Sequence, residues 1–242
     1  MSPNMDHHVV LIKEDFNVLN IVIARQVEII QQLLSGIVEP DDYEHIEMNE
    51  TIIDSLEVKI RSEVINGIVL YTPRASEARR MFALHDMTSY LERIGDLLLN
   101  VANFTRTIDS SNGLYLQYAG TLHEMLSETY QMVTDAVTSF FAGDSDLSRR
   151  VIRRDTHLHY QINDSLPQAL LDAEQTPDID SIQASLAISS IAYNLERIGD
   201  NATNIAEAAI FHSEGKNLLH AKNQKVEIPT EQELDNYGQE EV

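Results

Sequence analysis

Glu92 and Asp96 stand four residues apart in the stretch LERIGD, and the same six letters return at Leu195–Asp200, setting Glu196 and Asp200 at the same interval. On an α-helix that interval places two carboxylates on one face, a turn apart, where they repel by roughly a few tenths of a kcal/mol. Two further pairs keep the spacing: Glu50 with Asp54, and Asp155 with His159. Carboxylate pairs facing one another from adjacent helices supply several hard oxygen ligands, and a histidine among them favours Fe, Mn, Zn or Ni over Ca or Mg. A single acidic pair is ordinarily a solvated face, and His159 alone is ordinarily a surface histidine. Four pairs at one spacing, two of them inside an identical hexamer, point instead to a cation site. Glu28, His85, Asp135 and Glu207 are its secondary candidates.

These residues need helices to position them, and the pattern is helical almost throughout. Breaks are expected near Ser35–Asp42, Asn66–Ser76, Asp109–Gly113, Gly143–Asp146 and Glu174–Asp180, dividing the ordered chain into six long helices. Asp180 followed by Gln183 has the form of a capping box at the start of the last helix. Around the first hexamer, Leu84, Met87, Leu91, Ile94, Leu98 and Val101 form one apolar stripe. His85, Glu92, Asp96 and Asn103 fall within about 40° of one another, away from that stripe. Ser189, Glu196, Asp200 and Glu207 hold the corresponding places in the second copy.

The repetition extends beyond the hexamer. Glu50 and Asp155 lie at nearly the same distance before it, while Glu28 precedes Gly36 as Asp135 precedes Gly143. The expected fold is all-α: six long helices as two pseudo-symmetric three-helix bundles, over residues 5–108 and 112–220, with a polar, flexible tail at 221–242. Arg93 and Arg197 are expected to pair with a nearby acid or to brace the bundles. Gly95 and Gly199 each cost about 1 kcal/mol relative to Ala inside a helix, which a close helix approach or room for a bulky neighbour would justify.

Composition narrows the function. Seventeen Lys and Arg against 39 Asp and Glu give a formal charge of −22, which repels nucleic acid and anionic membrane. The chain has no cysteine, so disulfides and thiolate metal sites are excluded. No apolar run reaches the roughly 18 residues that span a bilayer, and the N-terminus lacks the form of a secretion signal, which fits a cytoplasmic protein.

At YLERIGDLLLNVANF and NLERIGDNATNIAEAAIFHSEGK the sequence resembles the PhoU family, in the third helix of each repeat. MNETIIDSLEVKI and RRDTHLHYQINDSL resemble its second helices, and the likeness runs over about residues 5–220. The resemblance implies two three-helix bundles whose E/D-x-x-x-D motifs hold multinuclear clusters, often of iron, zinc or nickel. It places those motifs at Glu50 with Asp54, Glu92 with Asp96, and Glu196 with Asp200. At the fourth, Asp155 is followed by His159 where the family has a carboxylate pair. The resemblance also implies a cytoplasmic, non-enzymatic regulator of phosphate uptake that restrains a phosphate ABC transporter and signals to a membrane sensor histidine kinase, and a homodimer. An enzymatic alternative, a di-iron carboxylate oxidase or iron store, needs Glu-x-x-His pairs, and the chain contains none. A third possibility is a structural helical adaptor whose acids are only solvated.

Overall fold

In the computed structural model, residues 3–155 and 178–215 are described, and no strand occurs among them. The helices are α1 (Pro3–Leu34), α2 (Asp42–Tyr71), α3 (Ala75–Thr105), α4 (Gly113–Ala142), α5 (145–155 of the described residues) and α6 (Ile179–Glu214). Each long helix buries one stripe. On α1, Val9, Ile12, Phe16, Leu19, Ile23, Val27, Ile30 and Leu34 recur at helical spacing and are all buried. The stripe expected on α3 is buried at all six positions, from Leu84 to Val101.

α1, α2 and α3 pack mutually, and α4 packs on α6. The two repeats join through equivalent helices: α3 lies against α6, and α1 against α4. The two hexamer-bearing helices are therefore neighbours at the pseudo-symmetric centre, and one apolar core runs through both repeats. Small side chains on α6, among them Ala184, Ala187, Ala192, Ala202, Ala206 and Ala209, are buried and let its neighbours approach. None of the described helices is long and apolar enough to cross a membrane.

α2 runs to Tyr71, and the break at Thr72–Arg74 falls inside the expected interval Asn66–Ser76. Gly67 is a packing residue: a Cβ there would stand 2.6 Å from Met81 Cε and 2.9 Å from His8 Cδ2, so its bareness admits α1 and α3. The helix stops at Thr72, in the left-handed region at φ 43°, ahead of Pro73. One helix start differs from expectation: the cap of α6 is Asp178, not Asp180. Its carboxylate accepts from Ser181 N at 2.7 Å and Ser181 Oγ at 3.1 Å, which leaves Asp180 inside the first turn. At α4 the cap is Asn112, whose Oδ1 accepts from Leu114 N and Tyr115 N. The tail at 221–242 lies outside the described residues.

Candidate metal centre

The first repeat brings four of the predicted acids into one electrostatic neighbourhood along the α2–α3 contact. Glu50 is buried, at 8% exposure, and neither carboxylate oxygen meets a hydrogen-bond donor. Burial first, then the neighbouring Asp96, then the charge of Asp54, push its pKa from 4.5 to about 8, so Glu50 holds its proton at neutral pH. Glu92, half-buried, is raised as well, by burial and then by Asp96, Glu57 and Asp54, against the pull of Arg93. Asp54 and Asp96 themselves are exposed and close the site on its solvent side.

The glycine of the hexamer explains how Glu50 gets so close. A Cβ on Gly95 would stand 2.9 Å from Ile53 Cδ1 and 3.1 Å from Glu50 Oε2. The missing side chain lets α2 press Ile53 and Glu50 against the backbone of α3, which is the close approach anticipated for this residue.

Two members went unread in the sequence. Glu57 continues the acid stripe of α2 one turn past Asp54, and its carboxylate accepts from Arg61 Nη1 at 2.8 Å. Gln26 of α1 is fully buried beside Glu50, where its amide lowers the Glu50 pKa slightly, yet neither amide atom reaches hydrogen-bond geometry. Gln26 interrupts the apolar stripe of α1 between Ile23 and Ile30, and a polar residue at a core position is the signal that would have found it. Glu28, the candidate on that helix, is exposed instead.

The remaining candidates are dispersed over the other helices. His85 is half-buried with Nδ1 3.6 Å from Asp86. Asp135 is committed to Arg154 Nη1 at 2.6 Å and accepts from Gln131. Glu207 faces Tyr90 across the α3–α6 contact; burial, then Asp86 and Glu207, raise the Tyr90 pKa against the pull of Arg93. Asp155 is buried, as its counterpart Glu50 is, and Glu196 and Asp200 are half-buried on α6. His159 lies outside the described residues. Two hydroxyl oxygens of the α6 polar stripe, on Ser189 and Thr203, are buried without a partner. Arg197 is exposed over Tyr193 of its own helix rather than bracing the bundles.

The residues present fit a metal. Glu50 and Gln26 present three buried oxygens that nothing satisfies, and Glu50 is flanked by carboxylates whose repulsion a cation would cancel. That donor set, all oxygen and net negative, suits a hard or borderline cation. Among the described residues no three acids or histidines already converge as a closed ligand set. The exposed Asp54 and Asp96 must rotate inward to complete one.

Comparison with known proteins gives the same picture of two repeats. The family model described as the PhoU domain matches at residues 19–105 and again at 122–209. The chain is 31% identical to the phosphate-specific transport system accessory protein PhoU homolog of Xylella fastidiosa strain Temecula1, over 90% of this chain and 92% of that protein. It is 30% identical to the homolog of the same description from Aquifex aeolicus, over 82% and 90% respectively. Its fold is similar to the crystal structure of PhoU from Pseudomonas aeruginosa, with a TM-score of 0.78 at 23% identity, covering 87% of this chain and 99% of that one. The phosphate transport system regulatory protein PhoU of Streptococcus pneumoniae superposes with a TM-score of 0.75 at 18% identity, covering 88% of this chain and 98% of that one.

Proposed function

The chain belongs to the PhoU family, and on that premise we propose that it is a regulatory accessory protein of phosphate transport, not an enzyme, that binds a transition metal and acts on transporter or sensor-kinase partners. The observation that carries the metal part is the orphaned Glu50 carboxylate, wedged against Gly95 and surrounded by Asp54, Glu92 and Asp96. Fe, Zn, Ni or Mn, in a cluster of one or more ions, is the cofactor this set would take, with Asp155, His159, Glu196 and Asp200 as the second repeat's ligands. When bound, the metal supplies positive charge that cancels the repulsion among the acids.

The protein's own part is a coupling between α2 and α3. Without a cation, Glu50 keeps a proton and the exposed acids of the site stay apart. A cation would be held by the ionised Glu50, its proton passing to solvent, with Asp54 and Asp96 turned inward as further ligands, and that arrangement would change the outer faces of both helices. A partner that binds one of these arrangements more tightly is regulated by the site, and only in proportion to that difference. The partners proposed are a subunit of a phosphate ABC transporter and the cytoplasmic part of a sensor histidine kinase, met by a cytoplasmic homodimer of this chain.

The test has two stages. Metal content per chain is measured by plasma mass spectrometry on protein purified without chelator, beside Glu50→Gln and Glu92→Ala/Glu196→Ala variants. Stoichiometric metal in the parent and its loss in the variants is expected. Binding to immobilised transporter and kinase domains is then compared for metal-loaded and stripped protein. Equal binding by both forms would refute the regulatory role of the metal, and no binding by either would refute the choice of partners.

A further inference from the structure

At the start of α3, some 24 Å along the helix from Asp96 at 1.5 Å per residue, the charge pattern reverses. Several arginines of this acid-rich chain find carboxylates, among them Arg61 with Glu57, Arg106 with Glu47 and Arg154 with Asp135. Arg79 and Arg80 do not. Both are half-buried, neither forms an ion pair with a described residue, and the Nε of each is enclosed with no acceptor. Asp6 acts on Arg80 only through space, while burial lowers the Arg80 pKa.

Two more groups join them around the last turn of α6. His212 packs its ring on Phe140, centroids 5.1 Å apart, and its Nδ1 is buried without a partner. Burial, and then the charges of Arg80 and Arg79, lower its pKa, so the imidazole is neutral at pH 7. Arg149 of α5 bonds both oxygens of Glu214 through Nη2, at 2.8 and 3.0 Å, which leaves its Nη1 enclosed and unmatched. The terminating Gly215 adjoins this group, where a Cβ would stand 3.6 Å from the Arg79 guanidinium, in ordinary contact.

Arginines at a helix C-terminus commonly bond its last carbonyls, and that would explain them without a ligand. Among the described residues neither Arg79 nor Arg80 forms such a bond; three guanidinium nitrogens are enclosed without an acceptor, and the His212 Nδ1 beside them is enclosed without a partner. Guanidinium forks of this kind match a tetrahedral oxyanion, which offers several acceptors at once.

We propose that Arg79, Arg80, Arg149 and His212 form a binding site for inorganic phosphate, distinct from the acidic centre. The choice of phosphate among oxyanions rests on the functional reading above; the site itself rests on the geometry. His212 supplies a means of selection. With its proton on Nε2, Nδ1 accepts the hydrogen bond that monohydrogen phosphate can donate and fully ionised sulfate cannot.

Isothermal titration of phosphate and of sulfate into the full chain, stripped of metal and free of both anions, tests the site. Saturable binding of one phosphate per chain is expected, with sulfate at least about tenfold weaker. Arg79→Gln/Arg80→Gln should weaken phosphate at least about tenfold, since each lost guanidinium removes charge-assisted bonds. His212→Phe should narrow the difference between the two anions, and Gly120→Ala, on the open face of α4, should leave phosphate binding unchanged. Thermal melts confirm that each variant is folded. Absence of saturable binding into the millimolar range, or parent-like affinity in the folded double arginine variant, overturns the site. Equal affinity for sulfate overturns the role of His212. Because no transporter or kinase is present, failure here is separable from failure of the proposed partnership.

Discussion

Replacing Glu50 by Gln should stabilise the metal-free protein at alkaline pH, although it removes the most buried acid of the candidate metal centre. The folded pKa of about 8 lies above the 4.5 of an unhindered carboxyl, so between those values the folded state binds the proton more tightly than the unfolded chain. Stability contributed by this group is therefore fully present below about pH 4.5 and is lost as the pH rises through 8. Each tenfold gain in proton affinity is worth about 1.4 kcal/mol, which sets a ceiling of ~5 kcal/mol. Asp54 and Asp96 are exposed and their repulsion is screened by water, which brings the expected loss to about 2–3 kcal/mol. Gln cannot ionise, and its amide can donate to Asp96 where the carboxylate could not.

The assay is thermal unfolding by circular dichroism in the presence of chelator, from pH 5 to pH 9 at constant ionic strength. For a chain of this size 1 kcal/mol moves Tm by about 2–4 °C, so Glu50→Gln should melt about 5–10 °C above the parent at pH 9 and near it at pH 5. Comparing the two proteins at each pH cancels every other titrating group except Glu92, whose own raised pKa acts in the same direction in both. A variant that is less stable than the parent at pH 9, or that loses stability with pH as steeply, would refute the account of Glu50 as a buried, repelled carboxyl. Metal should invert the order. At 100 times Kd a ligand adds about 2.7 kcal/mol to the parent, and Glu50→Gln should gain little.

Other consequences are directly measurable. Metal binding near pH 7 should release the Glu50 proton, seen in calorimetry as an enthalpy that varies with the ionisation heat of the buffer; an invariant enthalpy would contradict it. Gly95→Ala gains about 1 kcal/mol of helix propensity but must displace Ile53 and Glu50, so a net loss of about 1–2 kcal/mol and weaker metal binding are expected in melts and titrations. Gly120→Ala, where nothing stands within 4 Å of the new Cβ, should instead stabilise by about 0.5–1 kcal/mol. Thr72→Gly relieves a β-branched residue at φ 43° and should raise denaturant-measured stability by about 0.5–1 kcal/mol; a variant no more stable than the parent would show that Thr72 carries no strain.

What was legible in the sequence was local and periodic; what was not depended on a neighbouring helix. The stripe from Leu84 to Val101 and the paired acids of LERIGD repeat within one element, so the wheel alone assigns their faces, and the structure buries the apolar face as expected. Gly67 and Gly95 show the limit. Both are glycines inside helical sequence, and both are bare because a second helix comes within contact distance, which the pattern of a single helix does not display. Gln26 and Glu28 differ by two residues on α1, and charge favoured Glu28, but the site is reached by the residue on the buried stripe. A carboxylate at the surface is common in a chain of charge −22, whereas an amide or an arginine enclosed without a partner among the described residues is rare and calls for one. By that criterion the two places to look for ligands are the Gln26–Glu50 contact, for a cation, and the Arg79–Arg80–His212 cluster, for an anion. One helix, α3, carries part of both. A cation at its middle and phosphate at its start would act on the same rigid element, so occupancy of one site should alter affinity at the other, by equal factors in both directions. Phosphate titrations of the metal-loaded and stripped protein that give the same Kd would show the two sites to be independent.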